Sequence, residues 1–154
     1  MALIALLTVI DQIIKFFVIK DIMPIGELPV LNGILRLRYV ENTGAVFGSL
    51  QNSTTVLIIL TSVILVACIF LLMSKKIDNK FLFSSLLLIV SGGIGNLIDR
   101  IARGYVIDYI EFLFVNFAIF NFADCLVTVG AFSMMGYLIV DLIRDLRKAK
   151  NEEL

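Results

Sequence analysis

Two aspartates, Asp108 and Asp124, stand where the flanking sequence is apolar enough for a membrane, and Asn96, Asp99, Arg100 and Asn121 lie close to them in the chain. Lipid solvates none of these groups, so each must be paired, face water or take part in chemistry, and a cluster of them marks a site. Two carboxylates held close together cannot both ionise cheaply, and one therefore keeps a proton. A pair in that state offers an acid and a base at once, which is what a peptidase needs to activate water directly. Taken singly, the same residues have plainer readings: Asp124 as a favourable first-turn carboxylate, Asp108 as a solvated loop acid, Arg100 as an interfacial anchor reaching the head groups. Their convergence on one boundary is what points to chemistry.

The absence of histidine anywhere in the chain removes Ser-His and Cys-His nucleophiles, the HExxH zinc helix and any imidazole metal site. Cys68 and Cys125 both fall in apolar runs and read as reduced packing residues. No metal and no other cofactor is expected. Thirteen basic residues balance thirteen acidic ones without a basic stripe, which argues against nucleic acid as a partner.

The elements that must position these residues are helices in lipid. Of 154 residues 60% are hydrophobic and only 17% charged, with a mean hydropathy of +1.01, so the chain reads as an integral membrane protein. At about 20 residues per span it has room for four, expected at 2–20, 53–73, 80–98 and 122–142. The expected fold is a single all-α membrane domain over 1–154, with four transmembrane helices and a small extracytoplasmic β-hairpin or sheet. Segments 21–52 and 99–121 are expected outside the cytoplasm.

The first span carries Asp11 and Lys15, four residues apart on one helical face, either an ion pair that serves packing or a polar wall of the site. Asp11 stands where a cleaved signal sequence should be purely apolar, so this segment is expected to stay as a span. In 21–52, Pro24, Gly26 and Pro29 break any helix, and Asn32-Gly33 is the pair that a type I′ hairpin turn favours. Leu35, Leu37 and Tyr39 would then face one way, and Arg36 and Arg38 the other, capping the site and meeting lipid head groups. The glycines in Glu41 to Gly48 mark a tight turn or a close backbone approach and make that loop a lid candidate.

In the third apolar run, Gly92, Gly93 and Gly95 are expected to interrupt helical regularity. Gly104 ends the helix, and Tyr105 to Phe112 reads as an extended segment carrying Asp108. Asn121 precedes Asp124 by three residues, the spacing of a helix cap and its third residue, which puts Asp124 at the positive end of the helix dipole. Basic residues weigh mildly toward the loop with Lys75, Lys76 and Lys80 and the tail with Arg144, Arg147, Lys148 and Lys150, so both termini are expected in the cytoplasm.

Other classes fit part of this pattern. A small multi-span transporter or ion-conducting protein also uses interrupted helices and buried carboxylates, but no internal repeat is evident and the acids gather at one boundary, not at midplane. A non-catalytic assembly factor would leave the aspartates dispensable.

The blocks Asp11-x-x-x-Lys15, Glu41-Asn42-Thr43-Gly44-Ala45-x-Phe47, Gly92-Gly93-x-Gly95-Asn96-x-x-Asp99-Arg100, Gly104-x-Val106-x-Asp108 and Phe120-Asn121-x-Ala123-Asp124 resemble, in order, the motif set of the signal peptidase II family. The resemblance implies a membrane aspartic endopeptidase that removes signal peptides from diacylglyceryl-modified prolipoproteins, cutting just before the lipidated cysteine. It implies Asp108 and Asp124 as the catalytic pair, with Asp11, Lys15, Asn42, Gly44, Asn96, Arg100, Asn121 and Ala123 binding substrate or supporting the site. It further implies a multi-pass protein of the bacterial cytoplasmic membrane that acts as a monomer with its site on the extracytoplasmic face. Cyclic peptide antibiotics such as globomycin would bind that site.

Overall fold

A computed structural model describes residues 1–44, 53–74 and 76–152. Helix α1 spans Ala2–Phe17 and runs on as a π-helical turn over Val18–Ile22. Strands β1 (Glu27–Leu31) and β2 (Leu35–Asn42) follow, then helices α2 (Thr54–Met73) and α3 (Lys80–Arg103), strand β3 (Val106–Phe112) and helix α4 (Phe122–Glu152). Four helices are long and apolar enough to cross a membrane. Large apolar side chains such as Ile59, Val63, Val66, Phe70 and Phe132 are exposed on their outer faces, as helices solvated by lipid require.

Helix α3 is the centre of the bundle, with α1, α2 and α4 each packed on it. Its start is fixed by Asn79, whose side chain accepts hydrogen bonds from the amides of Phe81 and Leu82 at 2.9 and 3.0 Å. Its end is fixed by Gly104 at φ 84°, the left-handed conformation that glycine adopts without steric cost. The expected interruption at Gly92, Gly93 and Gly95 does not occur, and α3 is helical through all three. Those glycines are instead where neighbours come closest. A Cβ on Gly92 would collide with the Ala123 carbonyl, one on Gly93 would lie 2.7 Å from Leu65 Cδ2, and one on Gly95 would lie 2.6 Å from Asp11 Oδ2. Small residues serve this purpose in membrane bundles, where close backbone approach replaces the hydrophobic drive. Two helices also outrun the expected lengths, α3 to Arg103 and α4 to Glu152.

The strands form one antiparallel sheet in the order β1-β2-β3. The hairpin forms as expected, but Leu31 pairs with Leu35, so three residues connect the strands and not a two-residue turn. Gly33 takes φ 72° in that connection. Between Leu37 and Val40 the pairing of β2 with β3 slips by one residue, from Leu37 opposite Ile110 to Val40 opposite Asp108 and Asn42 opposite Val106. A bulge of this kind reverses which residues share a face. Strict alternation from Leu37 would turn Asn42 away from Asp108; the extra residue turns it toward Asp108.

On β2, Arg36 forms a two-pronged bond with Glu111, at 2.6 Å from Nε and 3.1 Å from Nη2, and reaches Glu27 at 2.9 Å. Arg38 lies 3.6 Å from Glu111. The two arginines thus meet acidic partners on the sheet itself, and Arg36 holds the Glu111 carboxyl below the usual range. Behind the sheet, Val18 and Ile22 pack with Ile107 and Tyr109. This cluster ties the end of α1 to β3.

Candidate active site

Asp108 comes from the middle of β3 and Asp124 from the first turn of α4. Asn121 caps that helix. Its Oδ1 accepts from the Asp124 amide at 2.9 Å while Asp124 Oδ2 accepts from the Asn121 amide at 3.1 Å, a reciprocal cap legible from the three-residue spacing. The free amide of the same side chain donates at 2.6 Å to Asp108 Oδ1 and at 3.2 Å to Asn96 Oδ1. One buried asparagine therefore touches both acids.

The remaining carboxylate oxygens are occupied by amides. Asn42 Nδ2 donates to Asp108 Oδ2 at 2.8 Å, and Asn96 Nδ2 donates to Asp124 Oδ1 at 2.7 Å. Gly44 closes the Asn42 corner, its amide donating at 2.9 Å to Asn42 Oδ1 while its carbonyl accepts from Arg100 Nη2 at 3.1 Å. The charge of Arg100 acts on Asp124 and Asp108, and its buried Nε has no hydrogen-bond partner among the described residues. Asp108 is 2% exposed. Burial first, and then the neighbouring charge of Asp124, push its carboxyl up to about 7, against the opposing pull of the Asn42 and Asn121 amides. An acid so placed carries its proton near neutrality.

Beneath this layer lies a second set of charges. Lys15, 0% exposed, pairs with Asp11 Oδ2 at 2.9 Å and Asp99 Oδ2 at 2.8 Å and donates to Asn96 Oδ1 at 3.0 Å. Asp11 also accepts from the Ala123 amide at 3.1 Å, and Asp99 from Arg103 at 2.7 Å and the Ile107 amide at 3.3 Å. The Asp11–Lys15 pair follows from the spacing in sequence. The parts of Asp99, Arg103 and Gln12, which donates to Asp11 at 3.1 Å, do not, although the four-residue step from Asp99 to Arg103 was a signal of the same kind. All ten sequence-derived site residues belong to this connected assembly. Of the glycine-rich stretch, Ala45 to Gly48 lie outside the described residues. Among the described residues no three His, Cys, Asp or Glu side chains are placed to hold a metal ion.

The model of the family described as signal peptidase (SPase) II matches residues 3–140. The chain belongs to the signal peptidase II family, an aspartic peptidase family. It is 43% identical over 138 residues to the lipoprotein signal peptidase of Caldanaerobacter subterraneus subsp. tengcongensis, covering 90% of this chain and 93% of that one. The lipoprotein signal peptidase of Clostridioides difficile is 36% identical over 137 residues, covering 89% and 92%. That of Streptococcus thermophilus is 41% identical over 121 residues, covering 79% of each chain. A bacterial membrane enzyme solved by the in meso method at 2.3 Å superposes with a TM-score of 0.84 at 29% identity, covering 92% of this chain and 87% of the other. A second such enzyme, solved at 1.9 Å, gives 0.78 at 30% identity, covering 89% and 90%. The expected fold, four spans with a small sheet, agrees with both. The uninterrupted α3 also removes the broken helix on which a transporter reading rested.

Proposed function

We propose that this signal peptidase II acts through Asp108 and Asp124, cleaving diacylglyceryl-modified prolipoproteins just before the lipidated cysteine. As a lipoprotein signal peptidase it removes signal peptides from prolipoproteins; the aspartate roles and the lipid requirement are our reading. The observation that carries it is Asn121, which bonds both carboxyls from a helix start in a buried, amide-lined setting.

In this mechanism the pair shares one proton. Asp124, at the positive end of the α4 dipole, holds the charge and takes a proton from water. Asp108 keeps its proton and donates it in a hydrogen bond to the scissile carbonyl. Water adds to the carbonyl carbon, the diol collapses, and the amine departs with a proton returned by the pair. No covalent intermediate forms. The supporting residues Asp11, Lys15, Asn42, Gly44, Asn96, Arg100, Asn121 and Ala123 hold this geometry or line the path of the substrate.

We further infer that the whole chain is one domain of the bacterial membrane, with both termini in the cytoplasm. The aspartates then lie near the extracytoplasmic boundary, where a signal helix in the bilayer presents its end and the diacylglycerol stays in lipid. Globomycin-type cyclic peptides are expected to compete for the same site, and one chain suffices for cleavage.

A gel-shift assay with purified protein and a diacylglyceryl-prolipoprotein tests the proposal. Wild type should release the signal peptide, and folded Asp108→Asn and Asp124→Asn should not. Cleavage by either variant at more than a hundredth of the wild-type rate would remove that aspartate from the mechanism.

A further inference from the structure

The buried charges beneath the site are arranged with respect to the backbone of both aspartates. Asp11 accepts the amide of Ala123, the residue before Asp124. Asp99 accepts the amide of Ile107, the residue before Asp108. Lys15 joins the two carboxylates, at 2.9 and 2.8 Å, with no exposure on any of the three side chains. The Ala123 amide is one of the first-turn donors that a helix cannot satisfy internally, so Asp11 answers a need of α4. Asp99 does the same for β3 from the last turns of α3. The three side chains come from two helices, and the two amides from two further elements that carry the acids.

From this geometry we infer that Asp11, Lys15 and Asp99 form a clamp, with Lys15 a positioning residue that sets the separation of the Asp108 and Asp124 backbones. The inference rests on those two aspartates being the catalytic pair. Lys15 touches neither of their carboxyls; its nearest route to them is Asn96, whose Oδ1 it shares with Asn121. The cation lies between two carboxyl groups that would otherwise have no shared partner in a low-dielectric setting, and so ties together the acceptors of the two amides. Arg103 adds a second cation on the Asp99 side, at 2.7 Å, where the side chain is partly exposed. Asp11 has no such second cation among the described residues, so Lys15 is the member whose loss unties both ends.

The clamp makes a kinetic statement. Loosening two reacting groups by about 1 Å acts on the chemical step and not on docking of the signal helix, and is worth on the order of 100-fold in rate. Lys15→Met should therefore lower kcat by about 100-fold and leave KM nearly unchanged. Amide hydrogen exchange, read in the same protein, should speed up at Ile107 and Ala123 while the interior of α2 keeps its protection. A second variant covers the case in which Lys15→Met fails to fold. The neutral triple Asp11→Asn, Lys15→Gln, Asp99→Asn leaves no charge in the buried triplet, frees only the partly exposed Arg103 from its ion pair, and keeps both acceptors, but Gln is too short to tie them.

The clamp predicts that the triple variant folds, exchanges faster at Ile107 and Ala123, and cleaves slowly. If the triple variant, or Lys15→Met, cleaves within threefold of wild type, the clamp is wrong and Lys15 only compensates buried charge. A rise in KM with kcat unchanged overturns it equally, because that assigns the triplet to substrate binding. The exchange measurement needs no turnover. Should Asp108→Asn or Asp124→Asn prove active, the mechanism above fails on its own evidence and not through the clamp.

Discussion

A single methyl group at Gly95 tests the packing on which the site depends. The Cβ of Gly95→Ala would lie 2.6 Å from Asp11 Oδ2, 3.1 Å from Asp11 Cγ and 3.4 Å from the Ala123 Cβ. Opening the first contact to an ordinary 3.4 Å needs about 0.8 Å of movement in a close-packed interior. Asp11 cannot supply this freely, being held by Lys15 on one oxygen and the Ala123 amide on the other. Overpacking costs about 1–3 kcal/mol, and leaving a buried amide unsatisfied adds about 1–3 kcal/mol. Alanine returns up to about 1 kcal/mol as a better helix former. The balance is a loss near 3 kcal/mol, or a melting temperature lower by about 6–12 °C at this size.

Gly136→Ala is the matched control. It sits in α4 with nothing within 4 Å of the added methyl, so only the propensity gain applies and the protein should be no less stable. Both variants are read by thermal unfolding in one detergent and by cleavage rate. Gly95→Ala should also slow cleavage, because Asp11 moves away from the residue before Asp124. Two variants of equal stability would refute the reasoning, since they would show that α3 and α1 part without cost.

The raised carboxyl of Asp108 fixes a pH window. Its value climbs from 3.8 to about 7 in the fold, so the folded protein binds this proton more tightly than the unfolded chain. The stability it contributes is complete below 3.8 and is lost as pH rises to about 7. Asp108→Asn, which cannot ionise, should therefore gain stability relative to wild type across that window, as thermal melts at several pH values will show. In the proposed mechanism wild-type kcat should in turn decline on the alkaline side from about pH 7, as Asp108 gives up the proton it lends to the carbonyl. A wild-type kcat that stays level well above that pH would assign the proton elsewhere. On the sheet, Arg36→Ala breaks bonds to Glu111 and Glu27 at a partly exposed position, and thermal melts should show little change in stability while kcat stays unaltered.

The sequence is most legible where partners are near in the chain. The cap of α4 needed only Asn121 and Asp124 three residues apart, and the Asp11–Lys15 pair only one helical turn. The hairpin announced itself through Asn32-Gly33, although a three-residue connection replaced the two-residue turn. What distance hides is the choice of partner. Nothing local says that Lys15 also reaches Asp99, or that Asp11 serves the amide of Ala123, 112 residues away. The bulge in β2 is hidden for another reason. Strand alternation reads the same through Tyr39 and Val40 whether or not a residue is inserted, yet the insertion decides that Asn42 meets Asp108. Glycine is ambiguous in the same way, since a residue that permits a break also permits a close approach, and in α3 it is the approach that lipid-embedded packing uses.

The division of labour among polar groups shows how the proposed chemistry can work without histidine. Every hydrogen bond to Asp108 and Asp124 among the described residues comes from an amide: Asn42, Asn96, the Asn121 side chain and the Asn121 backbone. The cations are directed elsewhere, Lys15 to Asp11, Asp99 and Asn96, Arg103 to Asp99, and Arg100 to the Gly44 carbonyl. A lysine or arginine paired directly with either acid would favour its ionised form and leave the pair with no proton to give. Neutral amides solvate a carboxylate without adding a charge, and a protonated carboxyl keeps a carbonyl oxygen that still accepts from one of them. In the proposed mechanism the pair thus remains free to exchange one proton during turnover, while the charges below hold the scaffold. Burying charge is costly, and here that cost falls on residues outside the proposed reacting pair, so that the two acids themselves carry no directly paired cation.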